Sequence, residues 1–341
     1  MQIDIVLEPD SPARFAELAA LAENYDFGAV WTANHLAARD PFMCFMEAAR
    51  ATSRIRLGPV AISPFEVHPL KLANQLFTLN EFSNGRANLV VGGGGGTVIG
   101  MGLKPARRTM IPHMVRGVSE CVEFIQGASA KRPLDFDGQL FQIHGYDPEW
   151  ASDAPPLLYI AASKEQMLRL AVRLADGLML SDTPLPRIDA TMAIIRDALV
   201  DYGRSESEFR ISNLVSWHVK ADRAQAVQEA RAKLFVRGLL DRMYVSTFMD
   251  EDDSAFVEEN LGAFAKAYAA NSPVIEGVPD RLVDALVEHL TLTGSVDDVD
   301  TLTELMMSYR QAGVNELAIR LYGQPEDSIR LLGERVLPAL Q

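Results

Sequence analysis

Along this chain, short runs of nearly continuous apolar residues alternate with longer stretches in which apolar positions recur every three to four residues. The first pattern suits a strand covered on both faces, and the second marks a helix that buries one side. Eight such pairs follow one another. Ile3–Glu8 (IDIVLE) precedes a predicted helix over Pro12–Asn24, where Phe15, Leu18, Leu21 and Ala22 share a face. Gly28–His35, Arg54–Ser63 and Arg86–Gly92 are the next strands, with helices predicted over Pro41–Thr52, Pro69–Phe82 and Thr109–Gln126. Leu157–Ala161, Gly177–Ser181 and Phe209–Lys220 are strands followed by helices over Lys164–Ala175, Arg187–Tyr202 and Arg223–Leu240. Glu316–Tyr322 and Glu326–Leu337 make the last pair. The rhythm breaks at Pro133–Tyr146, which alternates polar and apolar about Asp137-Gly138 and predicts a hairpin. Met243–Val299 predicts extra helices between the seventh and eighth pairs. Eight β/α units in series favour an α/β fold of the closed (β/α)8 TIM-barrel type over an open doubly wound sheet. No linker or fixed repeat interrupts residues 1–341, so a single domain is expected.

Composition narrows the functions available. With 48% hydrophobic and 23% charged residues, the chain can bury a large core and is not of disordered type. Its apolar runs are too short to cross a bilayer, so no membrane partner is expected. The start, MQIDIVLEPD, is acidic and lacks the basic end and apolar stretch of a signal peptide, so the expected location is cytoplasmic. A formal net charge of -14 argues against nucleic acid as a partner. The two cysteines, Cys44 and Cys121, fall in predicted helices without metal-ligand spacing and read as reduced thiols.

In a barrel of this kind the chemistry gathers where strands end and helices begin. The strand ends carry Glu8, Pro9 and Asp10; Thr32, Asn34 and His35; Ile62, Ser63 and Pro64; Gly92 to Gly96 and Thr97. Further on they carry Ala161, Ala162, Ser163 and Lys164; Ser181, Asp182 and Thr183; Trp217 and His218; Arg320 and Tyr322. Among these are no zinc-type Cys/His spacing, no serine in a nucleophile elbow, and no Lys-Ser/Thr ending to make the glycines a P-loop. The dinucleotide fingerprint after the first strand is missing too. What remains is bare backbone at Gly92, Gly93 and Gly94, which lets a flat ring approach closely. That suits a bound redox cofactor, with the protein supplying orientation. Ser163 and Lys164 open a helix whose free N–H groups suit a phosphate, with Ser163 also a candidate cap. Ser181 and Asp182 are an alternative approach to the same end of the cofactor.

The run from Ala51 to Gly96 resembles the bacterial luciferase-like family of flavin- and deazaflavin-dependent oxidoreductases. It carries His68-Pro69, Thr78-Leu79, Ser83, Gly85-Arg86 and then the glycines; Phe82 and Asn80 depart mildly from the usual Leu and Asp. Ala161–Asp182 and Leu292–Leu321 resemble two later segments of the family, in the same order. The resemblance implies a barrel oxidoreductase that binds coenzyme F420 or FMN. It places His35 beside the cofactor ring, with Glu8 as the corresponding acid on the first strand. It places Ile62 and Ser63 at a backbone bulge behind the ring, where some members carry a non-proline cis peptide. The stretch Arg39–Pro69 and the later Val278–Leu286 are most similar to the methylenetetrahydromethanopterin reductase branch. Hydride transfer from reduced F420 to a small organic substrate is therefore the leading expectation. A reduced-FMN monooxygenase, supplied by a separate flavin reductase, is the alternative, and a non-catalytic flavin-binding protein the third. A basic patch of Lys71, Lys104, Arg107 and Arg108 would offset the acidic chain near an anionic cofactor tail. By analogy with the family a homodimer is expected.

Overall fold

The computed structural model describes residues 1–8, 10–94, 101, 107–128 and 131–340, those from 107 to 112 by backbone alone. Of the sequence-derived residues, Pro9, Gly95, Gly96, Thr97 and Lys104 lie outside the described residues, as do the side chains of Arg107 and Arg108. The chain divides into two compact units, one made of Asp4–Met179 and Ile194–Ile211, the other of Met1–Ile3, Leu180–Ala193 and Ser212–Gln341.

In the first unit the elements run β1 (Gln2–Leu7), α1 (Pro12–Asn24), β2 (Ala29–Ala33), α2 (Pro41–Ala51), β3 (Arg56–Val60), α3 (Pro69–Phe82) and β4 (Asn88–Val91). Then come α4 (Arg107–Gly127), the hairpin β5 (Leu134–Asp137) and β6 (Gln142–Tyr146), β7 (Leu157–Ala161), α5 (Glu165–Leu174) and the start of β8 (Gly177–Ser181), whose last two residues belong to the second unit; α6 (Leu185–Asp201) is divided, with Leu185–Ala193 in the second unit and the rest in the first. The strands β1, β2 and β3 pair in parallel, as do β4, β7 and β8. Parallel bridges Leu57 to Ala87 and Ile62 to Val91 join β3 to β4. All the carboxyl ends therefore point the same way. β4 is buried at every position, as the continuous apolar run requires. Trp31 fills the interior, its Nε1 donating to Asp4 Oδ2 at 2.9 Å and its ring meeting Tyr159 edge-on at 5.4 Å. β3 passes so close to β4 that a Cβ at Gly58 would lie 2.2 Å from the Asn88 carbonyl oxygen.

Three helices of this unit start with a capping side chain followed by proline. Ser11 Oγ accepts from Arg14 N–H, Asp40 Oδ1 from Met43 N–H, and His68 Nδ1 from Leu70 N–H. Proline at the first helical position loses no hydrogen bond and presets φ. The hairpin sits where the alternation predicts it. Its turn is held by the buried Glu120 of α4, whose carboxylate accepts from the N–H groups of Gln139, Leu140 and Phe141 at 2.9 to 3.0 Å. Glu120→Ala is expected to cost about 1–3 kcal/mol and to open the turn to limited proteolysis while the far-UV spectrum stays unchanged. Equal protease resistance would count against this anchoring.

In the second unit β9 (Arg210–Lys220) is followed by α7 (Arg223–Lys233), α8 (Arg242–Val245), α9 (Glu251–Glu259), α10 (Leu261–Ala269) and α11 (Asp280–Leu290). β10 (Thr291–Ser295), α12 (Val299–Ala312), β11 (Glu316–Leu321), α13 (Pro325–Leu331) and α14 (Leu337–Leu340) complete it. β11 pairs with Ser212–Trp217 of β9, and β10 with Ser216–Lys220, both in parallel. β10 falls within the stretch that the sequence predicts as helical. Its β-branched Thr291 and Thr293, with Gly294, instead prolong the ladder beside the far end of β9. The helix predicted through Leu240 stops at Lys233, whose φ opens to -110°; a 3-10 turn follows at Leu234–Val236, and Gly238, Leu239 and Leu240 then take left-handed φ values of 53, 53 and 49°. The inserted helices close a core of their own around Tyr244, Val257, Phe264, Leu282 and Leu286. Strand order β3-β2-β1-β11-β9-β8-β7-β4 makes this the (β/α)8 barrel fold read from the sequence, with β10 added beside β9.

Candidate functional site

The first unit sets several of the sequence-derived residues at the carboxyl ends of its strands. β3 leads through Ala61 into the buried Ile62 and Ser63. Ile62 N–H donates to Val90 O at 2.9 Å, and Gly92 N–H donates to Ile62 O at 3.0 Å, so the exits of β3 and β4 run side by side. A non-proline cis peptide joins Val60 and Ala61, two residues before the Ile62–Ser63 position expected for it. Gly92 is closely flanked, so a larger residue there would need its neighbours to give by a few tenths of an ångström. A Cβ there would stand 3.1 Å from Ala61 Cβ and 3.3 Å from Ala161 Cβ, so three strand ends meet as a floor of hydrogen and methyl groups. Gly93 lies against Met114, and Gly94 is exposed with a φ of 86°.

Ala162 is buried and donates its N–H to Met179 O at 3.1 Å. Ser163 does not cap the following helix. The cap position falls on Lys164, whose extended backbone (φ -112°, ψ 152°) delays the helix to Glu165 and which makes no side-chain cap bond. The amides of that first turn are therefore left without a side-chain acceptor of the N-cap type. His35 and Glu8 are exposed beyond β2 and β1.

One residue of this region does not stand out in the sequence. Glu66, in the loop after β3, is half-buried, and its Oε2 accepts from Asn34 Nδ2 at 2.8 Å. Burial pushes its carboxyl above the ordinary glutamate value, opposed by hydrogen bonds from the Ser63 backbone and Asn34. The only signal for it in the sequence is a lone acid within the otherwise uncharged SPFEVHP loop.

In the second unit Ser181 and Asp182 end β8. Asp182 is buried with a left-handed φ of 53°. Arg237 Nη1 donates to its Oδ1 at 2.7 Å; Gly238 N–H and Ser181 Oγ donate to Oδ2 at 3.0 and 2.9 Å. Both carboxylate oxygens are thus engaged within the protein. Burial lifts the Asp182 pKa, while Arg237 and the other donors oppose it; Arg237, despite burial, is held above its ordinary value by Asp182 and then Tyr322. The three short donors fix the pair as an ion pair. Nearby, His218 donates to or accepts from Glu229 Oε1 through Nδ1 at 2.9 Å and stacks on Tyr322 with ring centroids 4.8 Å apart. Lys220 also meets Glu229, at 3.0 Å. Burial keeps His218 below its ordinary pKa, with Glu229 opposing, so the neutral imidazole is favoured.

A cavity of about 270 Å3 lies beside Asp182, lined also by Val215, Leu292 and Tyr309. Another of about 340 Å3, lined by Phe77, Ile125, Leu157 and Asp176 among others, opens at the amino end of β7. In barrel enzymes that face serves stability rather than chemistry. Among the described residues no group of three or more His, Cys, Asp and Glu could hold a metal ion, and no helix is long and apolar enough to cross a membrane.

Comparison with known proteins bears on what these strand ends do. The family model described as luciferase-like monooxygenase matches residues 2–316. A 5,10-methylenetetrahydromethanopterin reductase of Archaeoglobus fulgidus is 27% identical over 356 residues, covering 100% of both chains. Among solved structures, the coenzyme F420 dependent tetrahydromethanopterin reductase from Methanopyrus kandleri superimposes with a TM-score of 0.82 at 21% identity, over 100% of this chain and 99% of that one. The oxygenating constituent of 3,6-diketocamphane monooxygenase from Pseudomonas putida, in complex with FMN, matches with a TM-score of 0.66 at 17% identity, over 99% of this chain and 98% of that one.

Proposed function

Starting from a chain that belongs to the luciferase-like monooxygenase family, we propose that it is an F420-dependent oxidoreductase acting on a small organic substrate. The observation that carries the reading is the floor formed by Ala61, Gly92 and Ala161. A planar ring needs a surface without projecting side chains, and three adjoining strand ends offer one. The residues present therefore fit a tricyclic cofactor. Ile62 and Ser63 would stand behind the ring, with Gly92, Gly93 and Gly94 beneath it. Ala162, Ser163 and Lys164, at the uncapped start of α5, would take the phosphate of its tail. Reduced F420 bound there supplies a hydride. The protein orients the substrate over the ring, excludes water, and offers His35 and Glu8 at the rim as groups that hydrogen-bond the substrate and exchange protons with solvent. The relatives named above that use F420 or reduce a methylene-pterin support this choice of cofactor.

The same floor accepts an isoalloxazine, and the FMN-bound neighbour from Pseudomonas putida favours a second reading, an FMN-dependent monooxygenase fed by a flavin reductase. Mixing the apo-protein with each cofactor and following fluorescence quenching separates them. F420 is expected to bind more tightly than FMN. Stopped-flow oxidation of the bound reduced cofactor, with and without oxygen, then distinguishes reductase, monooxygenase and a non-catalytic binder. Binding of neither cofactor would end the oxidoreductase reading. Gly92→Ala places a methyl group on the floor. It is expected to weaken cofactor binding about tenfold or more, which corresponds to about 1.4 kcal/mol, in protein whose thermal midpoint shows it folded at the assay temperature. Unchanged affinity would remove the floor from the site.

A further inference from the structure

Glu66 differs from Asp182 and Glu229 in the company it keeps. Asp182 faces Arg237, and Glu229 faces Lys220 and His218. Glu66 has neutral partners: Asn34 on the exit of β2, and the backbone at Ser63 on the exit of β3. Among the described residues no cation pairs with it to hold it as a carboxylate. Glu120 is also held by neutral donors, but both its oxygens are spent on the hairpin turn. The loop of Glu66 is firmly built, because Ser63 O accepts from the N–H groups of both Glu66 and Val67 at 3.0 Å, and Ser63 Oγ accepts from Phe65 N–H at 3.2 Å. Neighbouring Ile62 is bonded to Gly92, so the acid and the small-residue floor share one stretch of backbone. His35 and His68, the nearest titratable side chains along these two exits, are exposed, as is Glu8. Water competes for every hydrogen bond an exposed group makes, whereas a half-buried carboxyl with one oxygen anchored keeps its orientation.

We propose that Glu66 is the acid–base residue of this site, its carboxyl holding the proton that a C=O or C=N substrate takes up on reduction. The inference rests on the reductase reading above. In that reaction the substrate carbon gains a C–H bond with the hydride of the reduced deazaflavin, and the π pair of the C=O or C=N bond moves to the heteroatom. The heteroatom forms its new bond with the Glu66 proton, and solvent reprotonates the carboxylate left behind. Burial, which favours the protonated carboxyl, keeps that proton available nearer to neutral pH.

The test uses the full chain labelled with 13C at glutamate side-chain carboxyls. One resonance, absent from the Glu66→Gln variant, is expected to titrate above the ordinary glutamate midpoint. In Asn34→Ala it is expected to titrate higher still, since the amide donor that favours the carboxylate is gone. The same resonance is expected to move when the protein is saturated with F420, or with FMN if that is the cofactor that quenches. A midpoint in the ordinary range overturns the proposal, as does a resonance indifferent to a cofactor shown by quenching to be bound. If neither cofactor binds, the function proposed above fails, and the catalytic role assigned to Glu66 fails with it, even if its titration is displaced. If Glu66→Gln does not fold, the upward shift in Asn34→Ala identifies the resonance, and its absence there counts against the proposal.

Discussion

Replacing Asp182 by alanine is expected to destabilise the protein by about 3–5 kcal/mol, because it leaves the Arg237 guanidinium buried and unpaired. The side chains of the pair are 1% and 6% exposed, so solvent screens little of this cost. Gly238 N–H and the Ser181 hydroxyl lose their acceptor as well. The pair as a whole need not favour the fold, since removing two charges from water is costly in itself. The sharper expectation is therefore a double-mutant comparison. Asp182→Leu combined with Arg237→Met should cost less than Asp182→Ala alone, although it changes more atoms. Urea unfolding measures both. A loss below about 1 kcal/mol for Asp182→Ala, the range of an exposed pair, would mean that Arg237 finds other partners or water. The left-handed run Gly238–Leu240 also depends on this contact, so the variant should be cleaved faster near Leu239, whose side chain is already exposed.

Arg86→Ala is expected to cost about 3 kcal/mol or more, for a different reason. Arg86 is buried, and its hydrogen bonds go to carbonyls and a hydroxyl rather than to a carboxylate. All five of its N–H donors are used. Nε donates to Ser83 O, Nη1 to Ile55 O and Thr52 Oγ1, and Nη2 to Ala49 O and Thr52 O, at 2.7 to 3.1 Å. Two of those carbonyls belong to the end of α2, where orphan acceptors and the helix dipole both favour a cation. Burial holds the Arg86 pKa below its ordinary value, with Glu23 opposing. Alanine would strand four carbonyls and a hydroxyl. Lysine keeps the charge but cannot present a planar fork, so Arg86→Lys should recover only part of the stability. The urea midpoints should rank wild type above Arg86→Lys above Arg86→Ala. Equal midpoints for lysine and arginine would show that charge alone matters here.

These two residues show where the sequence is readable and where it is not. Gly85-Arg86 stands out only as part of a family pattern, and nothing local tells that the arginine reaches back to Ala49. Ser163 reads as a helix cap because serine at a strand exit usually is one; the extended backbone at Lys164 moves the cap by a residue. The Thr291–Ser295 strand is hidden among helices because five residues are too few to show a period, and its pairing with β9 outweighs local preference. The hairpin, by contrast, is legible, since Asp137-Gly138 and the alternation around it are local signals. His68 is also legible, as the residue ahead of a proline at a helix start.

By itself the sequence determined the succession of β/α units, their burial on both faces, the bare glycines after β4 and the family to which the chain is similar. These follow from the spacing of apolar side chains and from residue types that act through their immediate neighbours. Tertiary structure alone decided that Asn34 grips Glu66 across 32 residues and that Asp182 meets Arg237 across 55. It alone brought the methyl groups of Ala61 and Ala161 to either side of Gly92. A hydrogen bond or an ion pair reaches only about 3 Å, so its partner is set by which strands lie side by side, and the apolar pattern that builds the strands is blind to that choice.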